Sequence, residues 1–144
     1  MLDTIELSKK LISFESVTPA KQDIFNFLIK IFEEQGFSTK QLNFDGDGSY
    51  EVINLMATYG PTNTNAKHFN FLCHVDVVPP GNVEDWDTPP FEPIIKDGYL
   101  YGRGSEDMKG CTAASIVSVF KFLKDNKDFN GTISFIITGD EEAD

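Results

Sequence analysis

Basic residues are scarce in this 144-residue chain: lysine and arginine total 12 against 23 aspartates and glutamates, a formal net charge of −11. Arg103 is the only arginine. So acidic a chain is a poor match for nucleic acid or for an anionic membrane surface, and neither is expected as a partner. Most of the acids read as a solvated surface, and a few as groups that bound cations would neutralise. No apolar run approaches the ~20 residues needed to span a bilayer. The start, MLDTIELSKKLISF, has no basic segment leading into an apolar one, so no signal peptide is expected and a cytoplasmic location is. Cysteine is nearly absent. Cys73 and Cys111 form no Cys-x-x-Cys pair and are expected to be free thiols in a reducing compartment. Internal repeats and low-complexity linkers are missing too. Asn130-Gly131-Thr132 fits a glycosylation sequon but, without secretion, reads as a turn.

What is present suffices for one domain with a real core, since 40% of residues are hydrophobic. Leu2 to Phe14 reads as a helix capped by Asp3 or Thr4. Pro19 suits the first turn of a second helix, in which Ile24, Phe27, Leu28 and Ile31 recur at helical spacing until Gly36. Phe37 to Phe44 and Val52 to Tyr59 read as strands about the turn DGDGS. Phe69 to Val75 is nearly all apolar and is expected to be buried on both faces. A loop rich in proline and acid follows, then a short strand or turn at Gly98 to Tyr101. A helix over Cys111 to Lys124 and a buried strand over Thr132 to Thr138 complete the pattern. Helices alternating with apolar strands predict an α/β architecture, a largely parallel sheet flanked by helices. In such sheets ligands sit at the carboxyl ends of strands, which is where the polar residues gather.

His74 and Asp76 interrupt an apolar strand two residues apart, and so share a face. A histidine that binds metal usually gives its other ring N–H to an acceptor such as a carboxylate. A core histidine satisfied by a neighbouring acid fits the tripeptide equally well. Asp107 lies in YGRGSEDMKG, a glycine-rich turn before a helix. The dinucleotide fingerprint fails there because its sixth position is Asp107 rather than glycine, and the P-loop fails because the order is Lys109-Gly110-Cys111. A carboxylate in such a turn suits a hard cation, although a helix cap is the commoner use. Asp140, Glu141 and Glu142 follow an apolar strand. Unless something positive is near, they raise one another's pKa; an exposed acidic loop is the plain alternative. DGDGS opens like a calcium loop, but position 12 counted from Asp45 is Met56, leaving a turn. His68 is expected to face solvent, Cys73 to point away from His74 into the core, and Arg103 to pair with Asp107, another acid or a substrate. One imidazole and several carboxylates at strand ends suit zinc or a related divalent ion.

CHVDVVPPG, DWDTPPFEPIIKDGYLYGRGSEDMKG and TGDEEA together resemble the acetylornithine deacetylase and succinyl-diaminopimelate desuccinylase family, di-zinc amide hydrolases related to aminoacylases and carboxypeptidase G. HVDVVPPG and GRGSEDMKG are the nearest to its desuccinylase members. The resemblance implies two zinc ions per subunit, with cobalt an alternative in one site. His74 and Glu142 would each ligate one ion, and Asp107 would bridge both. Glu141 would serve as general base and Asp76 would orient His74, while the Asp107–Met108 peptide would be cis. The implied reaction is hydrolysis of N-succinyl-LL-2,6-diaminopimelate to succinate and LL-diaminopimelate, on the route to lysine and cell-wall peptide. Acetylornithine deacetylation, or aminoacylase or dipeptidase action on another small N-acyl amino acid, is the alternative. From a different class, a non-catalytic α/β interaction module is a further one. Residues 1–144 are expected to be the N-terminal part of the catalytic domain and a fragment of a longer chain. The family's remaining acidic and histidine ligands and its small dimerisation domain would lie outside it. The complete protein is expected to be a homodimer, and the 144-residue chain alone to be inactive.

Overall fold

Asp3 starts the first helix, α1 (Thr4–Ile12), by accepting hydrogen bonds from the backbone N–H groups of Ile5 and Glu6 at 2.9 and 3.3 Å. The fold is that of a computed structural model, which describes residues 2–45, 50–62 and 65–143. Residues 46–49 of the DGDGS turn lie outside the described residues. Loss of the cap leaves two N–H groups unpaired, so Asp3→Ala is expected to lower unfolding stability by about 1 kcal/mol in a denaturant titration. An unchanged midpoint would show that water replaces the carboxylate without cost.

The second helix, α2 (Gln22–Glu34), buries Ile24, Phe25, Leu28, Ile31 and Phe32 along one stripe and ends before Gly36, whose φ of +82° suits glycine. Pro19 is not in its first turn, contrary to the sequence expectation. It follows a cis Thr18–Pro19 peptide, and α2 begins three residues later. The backbone before the helix is already engaged elsewhere. Thr18 N–H donates to the Val77 carbonyl, Val77 N–H to Ser16, and Ala20 N–H to Gly139. This segment thereby clamps the ends of two strands.

Strands β1 (Ser38–Asp45), β2 (Glu51–Tyr59), β3 (His68–His74) and β6 (Thr132–Thr138) form one sheet in the order β1-β2-β6-β3. Only β3 and β6 run parallel; β1–β2 and β2–β6 are antiparallel. The α/β layering with flanking helices therefore holds, while the largely parallel sheet does not. A short link between β1 and β2 forces a hairpin. The crossover from β3 through helix α3 (Lys109–Asp125) gives β6 its parallel neighbour.

The core lies between the sheet and the helices. Phe135 in β6 stacks on Phe71 at 4.7 Å and meets Phe32 of α2 at 5.1 Å, with Phe37 and Phe120 completing the cluster. Burial of each such ring stabilises the fold by roughly 1.5–3 kcal/mol. β6 is the buried central strand, as expected. β3 is not buried on both faces: it is an edge strand here, with Leu72 70% exposed beside its register partner Ile136. A hydrophobic run does not distinguish a central strand from an edge one.

Between β3 and α3 lies a small hairpin, β4 (Ile94–Lys96) and β5 (Tyr99–Tyr101). Asp97 and Gly98, with φ of 53° and 82°, make its tight turn. Among the described residues, no helix is long and apolar enough to cross a membrane. Both cysteines are free, Cys73 buried and Cys111 exposed.

Candidate metal centre

Three chain segments meet at the carboxyl end of the β3–β6 pair. His74 closes β3, Asp107 sits in the turn before α3, and Glu141 and Glu142 follow β6. Parallel pairing of His74 with Thr138 places the two strand ends side by side. The turn carrying Asp107 folds tightly over Val77. Gly104 has a φ of +80°, and a Cβ there would stand 2.6 Å from a Val77 methyl, so no larger residue fits. The Asp107–Met108 peptide is cis, as the resemblance implies.

The five residues singled out in the sequence are brought together. His74 Nε2 lies 3.0 Å from Asp107 Oδ1 and 3.5 Å from Glu141 Oε2. One donor atom each from His74, Asp107 and Glu142 falls within 4.8 Å of the others. On the other ring edge, His74 Nδ1 is 3.1 Å from the Asp76 backbone carbonyl and 3.5 Å from Asp76 Oδ1. A carbonyl can only accept, so Nδ1 carries the proton in the neutral ring. Nε2 then presents a lone pair to the carboxylate oxygens of Asp107 and Glu141. Acceptors facing one another at 3.0 Å repel unless a proton or a cation lies between them. An imidazole nitrogen among carboxylates is a donor set for zinc. The residues present therefore fit a divalent ion.

Asp76 is fully buried and ties the site together rather than facing His74 alone. Its Oδ2 accepts from the Thr18 hydroxyl and from the Glu142 backbone N–H, both at 2.9 Å. The ring of His74 and the backbone of the acidic turn are thus fixed by one carboxylate. Its Oδ1 has no hydrogen-bond partner closer than the ring of His74 at 3.5 Å. Asp107 and Glu141, with side chains 75% and 57% exposed, face the open side. Desolvation, with the negative field of Asp107 next, raises the Glu142 carboxyl above its ordinary value, while His74 opposes. A cation at the centre would reverse that.

Sequence reading missed Thr18, Lys109 and Thr112. Lys109 is fully buried and donates from Nζ to the Phe14 carbonyl at 2.8 Å. Burial pushes its ammonium down to about 8, against the pull of Asp76 and Asp23. Thr112 donates to the His74 carbonyl at 3.4 Å. A lysine at the head of an apolar helix was the available signal for Lys109. Thr18 reaches Asp76 across 58 positions and left none. His68 is exposed, as expected, and also meets the Ser134 hydroxyl at 2.7 Å.

Known proteins resemble this chain in sequence and in fold. Succinyl-diaminopimelate desuccinylase of Pelagibacter ubique is 46% identical over 139 residues, which are 96% of this chain and 35% of that protein. The protein of the same name from the Wolbachia of Brugia malayi is 43% identical over 99% of this chain and 34% of its own length. The chain thus spans about a third of the curated relatives it matches. Human carnosine dipeptidase 1 superposes with a TM-score of 0.82 at 25% identity, over 97% of this chain and 32% of that one. Aminopeptidase PepT of Bacillus cereus gives 0.69 at 30% identity, over 97% and 36%. The family profile of Peptidase family M20/M25/M40 matches residues 71–144, from β3 through the acidic turn. That match takes in more than half of the sequence, and the chain belongs to peptidase family M20/M25/M40.

Proposed function

We propose that this chain is the front part of the catalytic domain of a metal-dependent amide hydrolase. The observation that carries the reading is the lone pair of His74 Nε2 facing Asp107 Oδ1 at 3.0 Å, with Glu142 in the same group. His74, Asp107 and Glu142 would hold zinc, with Asp107 shared between two ions. When bound, zinc lowers the pKa of water towards ~7 and polarises a carbonyl. Glu141, exposed on the open side and not needed as a ligand, accepts the proton of the attacking water at its carboxylate. It returns that proton to the leaving amine. Asp76 holds the acidic turn through the Glu142 N–H and keeps the His74 proton on Nδ1.

The substrate belongs to the same proposal. Relatives at 40–46% identity that carry the desuccinylase name support N-succinyl-LL-2,6-diaminopimelate, cleaved to succinate and LL-diaminopimelate. Two ions per subunit, a homodimer and a cytoplasmic location complete the reading. Its test is a comparison of kcat/KM on succinyl-diaminopimelate, acetylornithine and a dipeptide, using the protein at the length of its relatives. Succinyl-diaminopimelate is expected to be the best of the three by at least tenfold, about 1.4 kcal/mol of transition-state binding. Preference for either of the others would overturn the substrate. No hydrolysis of any would overturn the function.

A further inference from the structure

Arg103 is the chain's only arginine, and among the described residues it forms no ion pair with an acid. The ion pairs among the described residues involve Lys9, Lys30 and His74 instead. This is unexpected in a chain of net charge −11, beside a site built of Asp76, Asp107, Glu141 and Glu142. Were Arg103 there to neutralise that site, its guanidinium would lie within salt-bridge distance of one of those carboxylates, and it does not. Neutral groups hold it in place. Nη2 donates to the Pro79 carbonyl at 3.4 Å, and the guanidinium carbon stands 5.1 Å from the centre of the Trp86 ring. Trp86 is anchored in turn by donating from Nε1 to the Pro80 carbonyl at 2.9 Å. The Arg103 backbone N–H is fixed on Pro90 at 2.7 Å. Stacking on an aromatic face and a carbonyl contact orient the planar fork, so little side-chain freedom is lost when an acceptor arrives. Nε is buried with no acceptor, and none of the described residues accepts from Nη1.

The place of this cation matters as much as its lack of a partner. Arg103 lines a cleft of about 330 Å³ together with Val78, Asp107 and Glu142. The cleft is therefore continuous with the candidate metal centre, and its size suits a small organic acid. We propose that Arg103 is a carboxylate-binding residue that receives an acidic group of the amide substrate beside the metal centre. The assignment rests on the hydrolase reading and adds to it: the substrate must carry a carboxylate apart from the amide being cleaved. A guanidinium suits that task better than an ammonium, because its paired N–H groups match both oxygens of a carboxylate.

The single arginine makes the test direct, since the chain has one arginine Nε–H signal in a nitrogen–proton NMR spectrum. Succinate titrated into the 144-residue chain, with and without zinc, is expected to move that signal saturably. Succinamide, of the same shape and uncharged, is expected to leave it in place. R103Q should weaken succinate binding about tenfold or more, read from the signals of neighbouring glycines. R103K, which keeps the charge without the fork, should restore part of it. A signal that ignores succinate, or follows succinamide equally, overturns the proposal even if R103Q fails to fold. Zinc uptake by the protein at the length of its relatives, followed by calorimetry, tests the hydrolase reading separately. Uptake of zinc with an unmoved arginine signal would remove this inference alone. A moving signal without zinc uptake would remove the hydrolase reading and leave a carboxylate site.

Discussion

Replacing Glu141 by glutamine is expected to lower amide hydrolysis by about 10²–10⁴-fold, the usual contribution of a positioned general base, with little change in metal affinity. Glutamine preserves the shape of the side chain and removes its ability to take a proton. The proposed metal donors are untouched, because the group that converges is His74, Asp107 and Glu142. The turn should survive as well. It is held by the Glu142 backbone N–H on Asp76 and not by the Glu141 side chain, which is 57% exposed. The two readouts separate the roles. A loss of kcat with zinc retained supports a base, whereas a parallel loss of zinc would make Glu141 a ligand and require the two glutamates to exchange parts. The measurement, on the protein at the length of its relatives, is kcat on succinyl-diaminopimelate beside the zinc content of the same preparation.

Asp107→Asn is expected to act one step earlier, at metal binding. Asp107 Oδ1 is the carboxylate oxygen nearest His74 Nε2, at 3.0 Å, and it stands in the ligand group with Glu142. An amide in its place has lost the negative charge. It also offers an N–H₂ that can donate to the His74 lone pair and fill the place a cation would take. Removing even a residue that only supports a metal ligand costs about 10–100-fold in affinity. Loss of a residue proposed as a ligand to both ions should exceed that, and hydrolysis should fall with it. The fold should not change, because the Asp107 side chain is 75% exposed and contributes no core contact. A variant that bound zinc as the parent does would place the metal elsewhere.

How far the sequence spoke for itself depended on the distance between partners. The stripe of Ile24, Leu28 and Ile31 and the bounds of the last strand, Thr132 to Thr138, follow from local periodicity, and both stand in the structure. The pairing of His74 and Asp76 on one side was legible because alternation along a strand is local. Asp107 and the glutamates could be named, but their convergence required the β3–β6 register, which no periodicity contains. The same limit explains the misreadings. Phe69 to Val75 has the composition of a central strand, yet its neighbours are decided by where β6 inserts. Pro19 has the local character of a helix start. Long-range backbone bonds from Thr18 and Ala20 to strand ends take that segment for another purpose. Lys109 illustrates a subtler failure. A lysine near a helix start is usually solvated, and only the fold, which brings the distant Phe14 carbonyl to its ammonium, shows that it is buried.

The central claim is that an ion belongs between His74, Asp107 and Glu142. Calorimetric titration of zinc into the metal-free protein at the length of its relatives, and into its Asp107→Asn variant, tests it most directly. The account predicts saturable uptake by the parent, with proton release as ligands shed protons, and affinity in the variant lower by more than about 100-fold. Equal uptake by both proteins, or none by the parent, would contradict it.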